Sequence, residues 1–274
     1  MMQKSFLSKI GCVIAIAGTV LMPATAKANA TGTTQTLIDW DQLAPGWTAP
    51  TSGEVRTYSV GQGTVDLRFD LGATTKFDSF GGSGLTPNIS GVLNGEQEPD
   101  NKSLHIQMDA QAVGLSQGAN SVTMTTAFKG FKSALTDVSF TLFDVDIDNS
   151  RTWQDRVILK GFLGNQVVAP LFTPLSANNT IQIVDAYTID GFRYDSNANR
   201  DNGNVLVRFA SAIDRFELVF TDGDDIGNIN PRGHGIGIGD ITYTVSAVPE
   251  PASILGLLAF GTFGVSSVIK RKQN

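Results

Sequence analysis

The sequence predicts an all-β chain folded as a β-sandwich of jelly-roll type, and three observations carry that prediction. Short segments alternate apolar and polar residues with period two, as in Val138-Ser139-Phe140-Thr141-Leu142-Phe143, so each presents one apolar face. Gly, Asn, Asp and Pro separate these segments at fairly even intervals. No amphipathic stretch of helical length interrupts them. The 29 glycines and 16 phenylalanines suit turns and strands better than long helices.

In chain order the first strands expected are Thr36–Trp40, Glu54–Val60 and Thr64–Leu71, the last two joined by a hairpin turn at Gly61-Gln62-Gly63. Phe80–Asn101 is rich in Gly, Pro and Asn and reads as a long exposed loop. Leu104–Asp109, Ser121–Phe128 and Val138–Phe143 follow, each with β-branched or aromatic residues on alternate positions. Arg156–Phe162 runs into a second turn, Leu163-Gly164-Asn165-Gln166. Thr180–Val184, Asn204–Phe209, Phe216–Phe220 and Ile241–Val245 complete about eleven strands over a body of some 217 residues.

Both ends lie outside that body. Residues 1–30 have the layout of a secretory signal: Lys4 and Lys9, an uncharged run Ile10–Met22, the helix breaker Pro23, and Ala28-Asn29-Ala30 as a small-x-small cleavage site. A signal peptidase would leave Thr31 as the first residue, with Ala26-Lys27-Ala28 as the alternative site. Lys9 lies three residues before Cys12, which is wrong for a lipobox. The single cysteine leaves with the signal, so the mature chain has no disulfide for an oxidising compartment. At the other end Pro249-Glu250-Pro251 precedes Ala252–Ile269, eighteen residues without charge, and then Lys270, Arg271 and Lys272. As a helix, that run spans ~27 Å, enough for a bilayer core. The basic tail orients it with the body outside the cytoplasm.

This order of parts resembles the PEP-CTERM sorting signal of Gram-negative envelope proteins. The resemblance implies that an exosortase recognises Pro249, Glu250 and Pro251 and cleaves the protein from the membrane. The expected organisation is a signal peptide (1–30) with a signal helix, a β-sandwich (31–248), and a sorting signal (249–274) whose transmembrane helix is 252–269. The expected fate is export through the inner membrane, transient anchoring, then the cell surface or the medium.

Charge narrows the partners. The chain has 20 basic and 26 acidic residues, a net −6. Without its two ends, the body carries −11. An acidic body argues against nucleic acid and suits either solubility or a cation such as calcium. Asp144, Asp146 and Asp148 follow a strand, and Asp155 falls at the twelfth position of that run. This is the ligand spacing of an EF-hand loop. Asn149 stands where the turn glycine belongs, Asp155 is shorter than the usual Glu, and no helices flank the loop.

A second candidate lies at His234-Gly235-Ile236-Gly237-Ile238-Gly239-Asp240-Ile241. The alternating glycines leave one bare backbone face, which lets another segment approach closely. The end of this segment resembles the closing strand of extracellular bacterial jelly-roll modules. The resemblance implies a structural calcium on Asp240, with Asp39 as its partner from an early strand.

Enzyme readings find little support. Gly114-Leu115-Ser116-Gln117-Gly118 matches a nucleophile elbow in letters, but the helices an elbow needs are missing. His105 and His234 alone, without cysteine, are too few for a zinc centre. Glu54, Glu96, Glu98 and Glu217 are the only glutamates of the body from which a glycosidase pair could be drawn. Trp47, in a Pro-Gly turn, and Trp153, in the aspartate loop, are candidate sugar-stacking residues or covers for the core edge. The expectation is a non-enzymatic envelope or matrix protein. A lectin-like module that binds exopolysaccharide is the alternative, and a polysaccharide-active enzyme stands behind it.

Overall fold

The computed structural model describes residues 33–79, 84–95, 101–111, 119–194, 200–227 and 233–245. The signal peptide, the sorting signal with its transmembrane helix, Ser116, Glu96 and Glu98 lie outside the described residues.

The chain opens with β1 (Thr33–Ile38), a four-residue helix α1 (Trp40–Leu43), β2 (Val55–Val60), β3 (Gly63–Leu71), β4 (Thr75–Phe77), β5 (Asn88–Ser90) and β6 (Ser103–Ala110). Next come β7 (Ser121–Lys129), β8 (Thr136–Phe143), β9 (Asp155–Leu163), β10 (Gln166–Val168), β11 (Leu171–Pro174) and β12 (Ile181–Ile183). The last strands are β13 (Thr188–Gly191), β14 (Val205–Phe209), β15 (Arg215–Asp222), β16 (His234–Ile238) and β17 (Ile241–Val245). They form two antiparallel sheets. A nine-stranded sheet follows β1-β17-β8-β16-β6-β4, with β5 on β6 and β14 and β11 added beside β8. An eight-stranded sheet follows β12-β13-β9-β15-β7-β3-β2, with β10 on β9. The all-β sandwich expected from the sequence is the fold observed.

Alternation explains the core. Val138, Phe140 and Leu142 from the nine-stranded sheet face Val65, Leu67, Phe69, Leu218 and Phe220 from the other, all of them buried. Phe216 lies at the centre, stacked on Phe140 with centroids 5.1 Å apart and on Phe209 at 5.9 Å. Full burial of such a ring is worth about 1.5–3 kcal/mol. Room for Phe209 exists because residue 161, directly beneath it, is glycine: a Cβ there would sit 2.8 Å from the Phe209 ring.

Three expectations are corrected. Trp40 is not in a strand but starts α1, because Asp39 caps the helix by accepting from the Gln42 backbone N–H. The 80–101 region is not simply an exposed loop among its described residues. It contributes β5 to the sheet edge, and Leu93, Thr86 and Asn94 are buried. It folds over β6 because bare Gly237 admits the Leu93 backbone against β16, the close approach that the glycine alternation predicts. Among the described residues the strands number seventeen rather than about eleven, the extra ones being mostly three- and four-residue pieces too short for a periodic signal. The glycine segment itself forms strand β16 and runs on into the last strand, β17. β16 and β17 run along the same side of β8, with Ile238 opposite Leu142 and Thr242 opposite Ser139. Gly239 and Asp240 break them apart.

Candidate functional site

The aspartate loop joins β8 to β9 at one end of the sandwich. Asp144 takes a left-handed conformation (φ 63°) and turns the chain out of β8. The loop then closes as a small hairpin. Asp155 N–H donates to Asp146 O at 3.0 Å, Asp148 N–H to Trp153 O at 3.1 Å, and Arg151 N–H to Asp148 O at 2.8 Å. Asp146, Gln154 and Asp155 are buried.

The Asp148 and Asp155 carboxylates go to different partners. Asp148 accepts from the Thr152 hydroxyl at 2.5 Å and from its N–H at 3.1 Å. The hydroxyl bond chiefly holds this carboxyl below its ordinary range. Asp155 turns inward. Its Oδ2 accepts from the Asp146 N–H at 3.1 Å, and its Oδ1 accepts from His234 Nδ1 at 2.7 Å. His234 Nε2 lies 3.0 Å from Asp222 Oδ1, within ion-pair range but off the line of a directed hydrogen bond. Among the described residues no group of three or more His, Cys, Asp or Glu is disposed to hold a metal ion.

The result is a sealed Asp155–His234–Asp222 row between the sheets, with the imidazole side chain 0% exposed. Trp153 lies parallel to the imidazole at 5.7 Å, and Phe220 tilts against it at 4.9 Å. Burial by itself pushes the imidazole pKa down, but the contacts to Asp155 and Asp222 outweigh it and lift the pKa to about 9. Burial also pushes the Asp155 carboxyl up, against the pull of the imidazolium. Beside this row Arg156 grips Asp190 through two bonds, at 2.7 and 2.6 Å, and reaches Asp224 at 2.8 Å. Asp222, Asp190 and Arg156 escaped the sequence reading. The available signal was Asp222-Gly223-Asp224-Asp225, an acidic strand end like that of β8.

The alternative pair is brought together at the start of α1. Asp39 accepts from Gln42 Nε2 at 2.8 Å, in addition to the capping bond. Asp240 Oδ1 accepts from the Trp40 backbone N–H at 3.0 Å. Partial burial raises the Asp240 pKa, and the charges of Asp39 and Asp41 add to the rise.

Neither candidate stacking residue stands clear of the body. Trp47 lies parallel to Tyr58 at 6.1 Å and edge-on to Trp40 at 6.2 Å, and its Nε1 donates to Pro87 O at 2.8 Å. Trp153 is half-buried and covers His234. Of the catalytic candidates, His105 is buried and neutral, with burial holding its pKa down at about 4. Its Nε2 accepts from the Leu93 N–H at 3.0 Å. Glu54 pairs with Arg56 at 2.8 Å.

Residues 247–272 match the PEP-CTERM protein-sorting motif. The chain therefore carries the sorting signal of an exosortase substrate, in the place where its Pro-Glu-Pro, apolar run and basic tail stand. No curated protein matches the chain. Among solved structures, the adhesin domain of PrgB from Enterococcus faecalis bound to DNA aligns with 65% of this chain at 9% identity and a TM-score of 0.31. The alignment spans 60% of that structure's length.

Proposed function

We propose that the protein is an exported, non-enzymatic β-sandwich of jelly-roll type that serves a structural or binding role at the cell surface or in the extracellular matrix. The observation that carries this reading is the sorting motif at residues 247–272 attached to an all-β body. Both histidines are buried and tied to protein partners, which supports a role without catalysis. The acidic, cysteine-free body suits an oxidising exterior, where exopolysaccharide is the proposed partner class. In this reading the signal peptidase removes residues 1–30, the helix 252–269 anchors the chain for a time, and an exosortase releases it.

Replacing Pro249, Glu250 and Pro251 together by alanine tests this. The variant is expected to stay in the membrane fraction through the 252–269 run, while the unaltered chain reaches the surface or medium. Normal release of the variant would refute the sorting role of these residues.

A further inference from the structure

The outer face of the nine-stranded sheet carries a cleft of about 190 Å³ where β16 and β17 are interrupted. Its walls include Asp240, Lys102, Asn101 and Thr141, and Phe143 and Leu206 give it an apolar side. The break after Ile238 creates it. Gly239 stays on β8 through an N–H bond to Thr141 O at 2.8 Å, and the next residue, Asp240, leaves the ladder.

Several of these polar groups are not used by the fold. Among the described residues Asp240 accepts only through Oδ1, from Trp40, and the Thr141 hydroxyl has no protein partner. Lys102 Nζ lies 3.8 Å from Asp41 Oδ1, at the limit of an ion pair, and its side chain is 40% exposed. Asp240, Thr141, Asn101 and Lys102 thus line one small space beside an apolar wall.

That combination selects a ligand class. An anion would meet Asp240 with Asp39 and Asp41 behind it. A hard cation needs about six to eight oxygens. Among the described residues Asp240 is the one carboxylate that lines the cleft, since Asp39 caps α1 and Asp41 faces Lys102. A neutral polyol offers hydroxyl donors to the carboxylate and acceptors to the ammonium, and its C–H face suits the half-buried Leu206, with the buried Phe143 behind it. The volume is below the roughly 300–1,000 Å³ of drug-sized pockets, which limits the occupant to one sugar ring.

We propose that this cleft binds a single neutral pyranose residue of a polysaccharide, with Asp240 accepting from sugar hydroxyls and Lys102 and Thr141 completing the contact. The proposal rests on the binding role proposed above and names its ligand and its place. The test is saturation-transfer NMR on the full-length protein in a detergent without a sugar headgroup. The probes are D-glucose, D-galactose, D-mannose and N-acetyl-D-glucosamine, with D-glucuronate as the anionic comparison. At least one neutral sugar is expected to bind, and better than glucuronate. Asp240→Asn, which keeps a carbonyl for the Trp40 N–H, is expected to weaken binding by about tenfold or more, because it replaces a charged acceptor. Thr141→Val is expected to weaken it as well, with melting curves showing that both variants fold. Sugar binding unchanged in both variants would overturn the assignment and move the site elsewhere, with the binding role intact. Calcium binding lost in Asp240→Asn, with no sugar signal, would also overturn it. If no probe binds, the proposal and its sugar partner fall together, while the fractionation test of the sorting motif stands apart.

Discussion

His234 keeps its proton inside the sandwich because two carboxylates face it. The group binds that proton more tightly folded than unfolded, with a folded pKa of about 9 against an ordinary 6.5. Its contribution to stability is therefore complete below about pH 6.5 and is lost as pH rises through about 9. Melting temperatures measured across about pH 6 to 10 should hold steady at first and then fall. His234→Gln should flatten that profile. It should also cost about 3–5 kcal/mol at neutral pH, because Asp155 and Asp222 then lie buried without a cation. A profile unchanged by the substitution would assign the pH dependence to other groups.

The β8–β9 hairpin poses the calcium question at the scale of an element. As it stands, Asp148 is engaged by Thr152 and Asp155 by His234, so protein hydrogen bonds close the hairpin. On that basis a chelator should leave the melting temperature unchanged. An ion shared by Asp144, Asp146, Asp148 and Asp155 would behave otherwise. At a hundredfold excess over its dissociation constant it would add about 2.7 kcal/mol, or roughly 5–11 °C, and Asp146→Ala would abolish the gain. Strand β9 offers a second test. Gly161→Val would drive a side chain into the Phe209 ring, and overpacking of this kind costs about 1–3 kcal/mol. The urea midpoint should fall, and Phe209→Leu should restore part of the loss in the double variant. An unaffected midpoint would show that the core accommodates the extra volume.

Over the whole molecule, legibility tracks how local the cause is. β3, β7, β8 and β15 were readable because one buried face leaves an alternating trace. β6 is buried on nearly every residue, since the 84–95 segment covers its outer side, yet its apolar positions Leu104, Ile106 and Met108 still alternate. β10, β11 and β13 have three or four residues each, too few to show a period, whereas β12 lies inside the expected strand Thr180–Val184. In the candidate site, Asp155 and Asp240 were legible as carboxylates at strand ends. Their partners were not: His234 lies 79 residues from Asp155, and Trp40 lies 200 from Asp240.

The sequence by itself determined the all-β class, the two hairpin turns at residues 61–63 and 163–166, and the C-terminal sorting motif. Each depends on neighbours along the chain: alternation, turn residues, or a short ordered run of prolines, apolar residues and cations. Only the tertiary structure decided that Asp155 faces a histidine rather than its fellow aspartates. It also decided that Trp47 and Trp153 lie against the body, and that a broken closing strand opens a cleft at Asp240. Those outcomes depend on which strand lies beside which, and on what a second sheet presents across the core. Period and spacing constrain where a side chain points along its own strand, but not what it meets there.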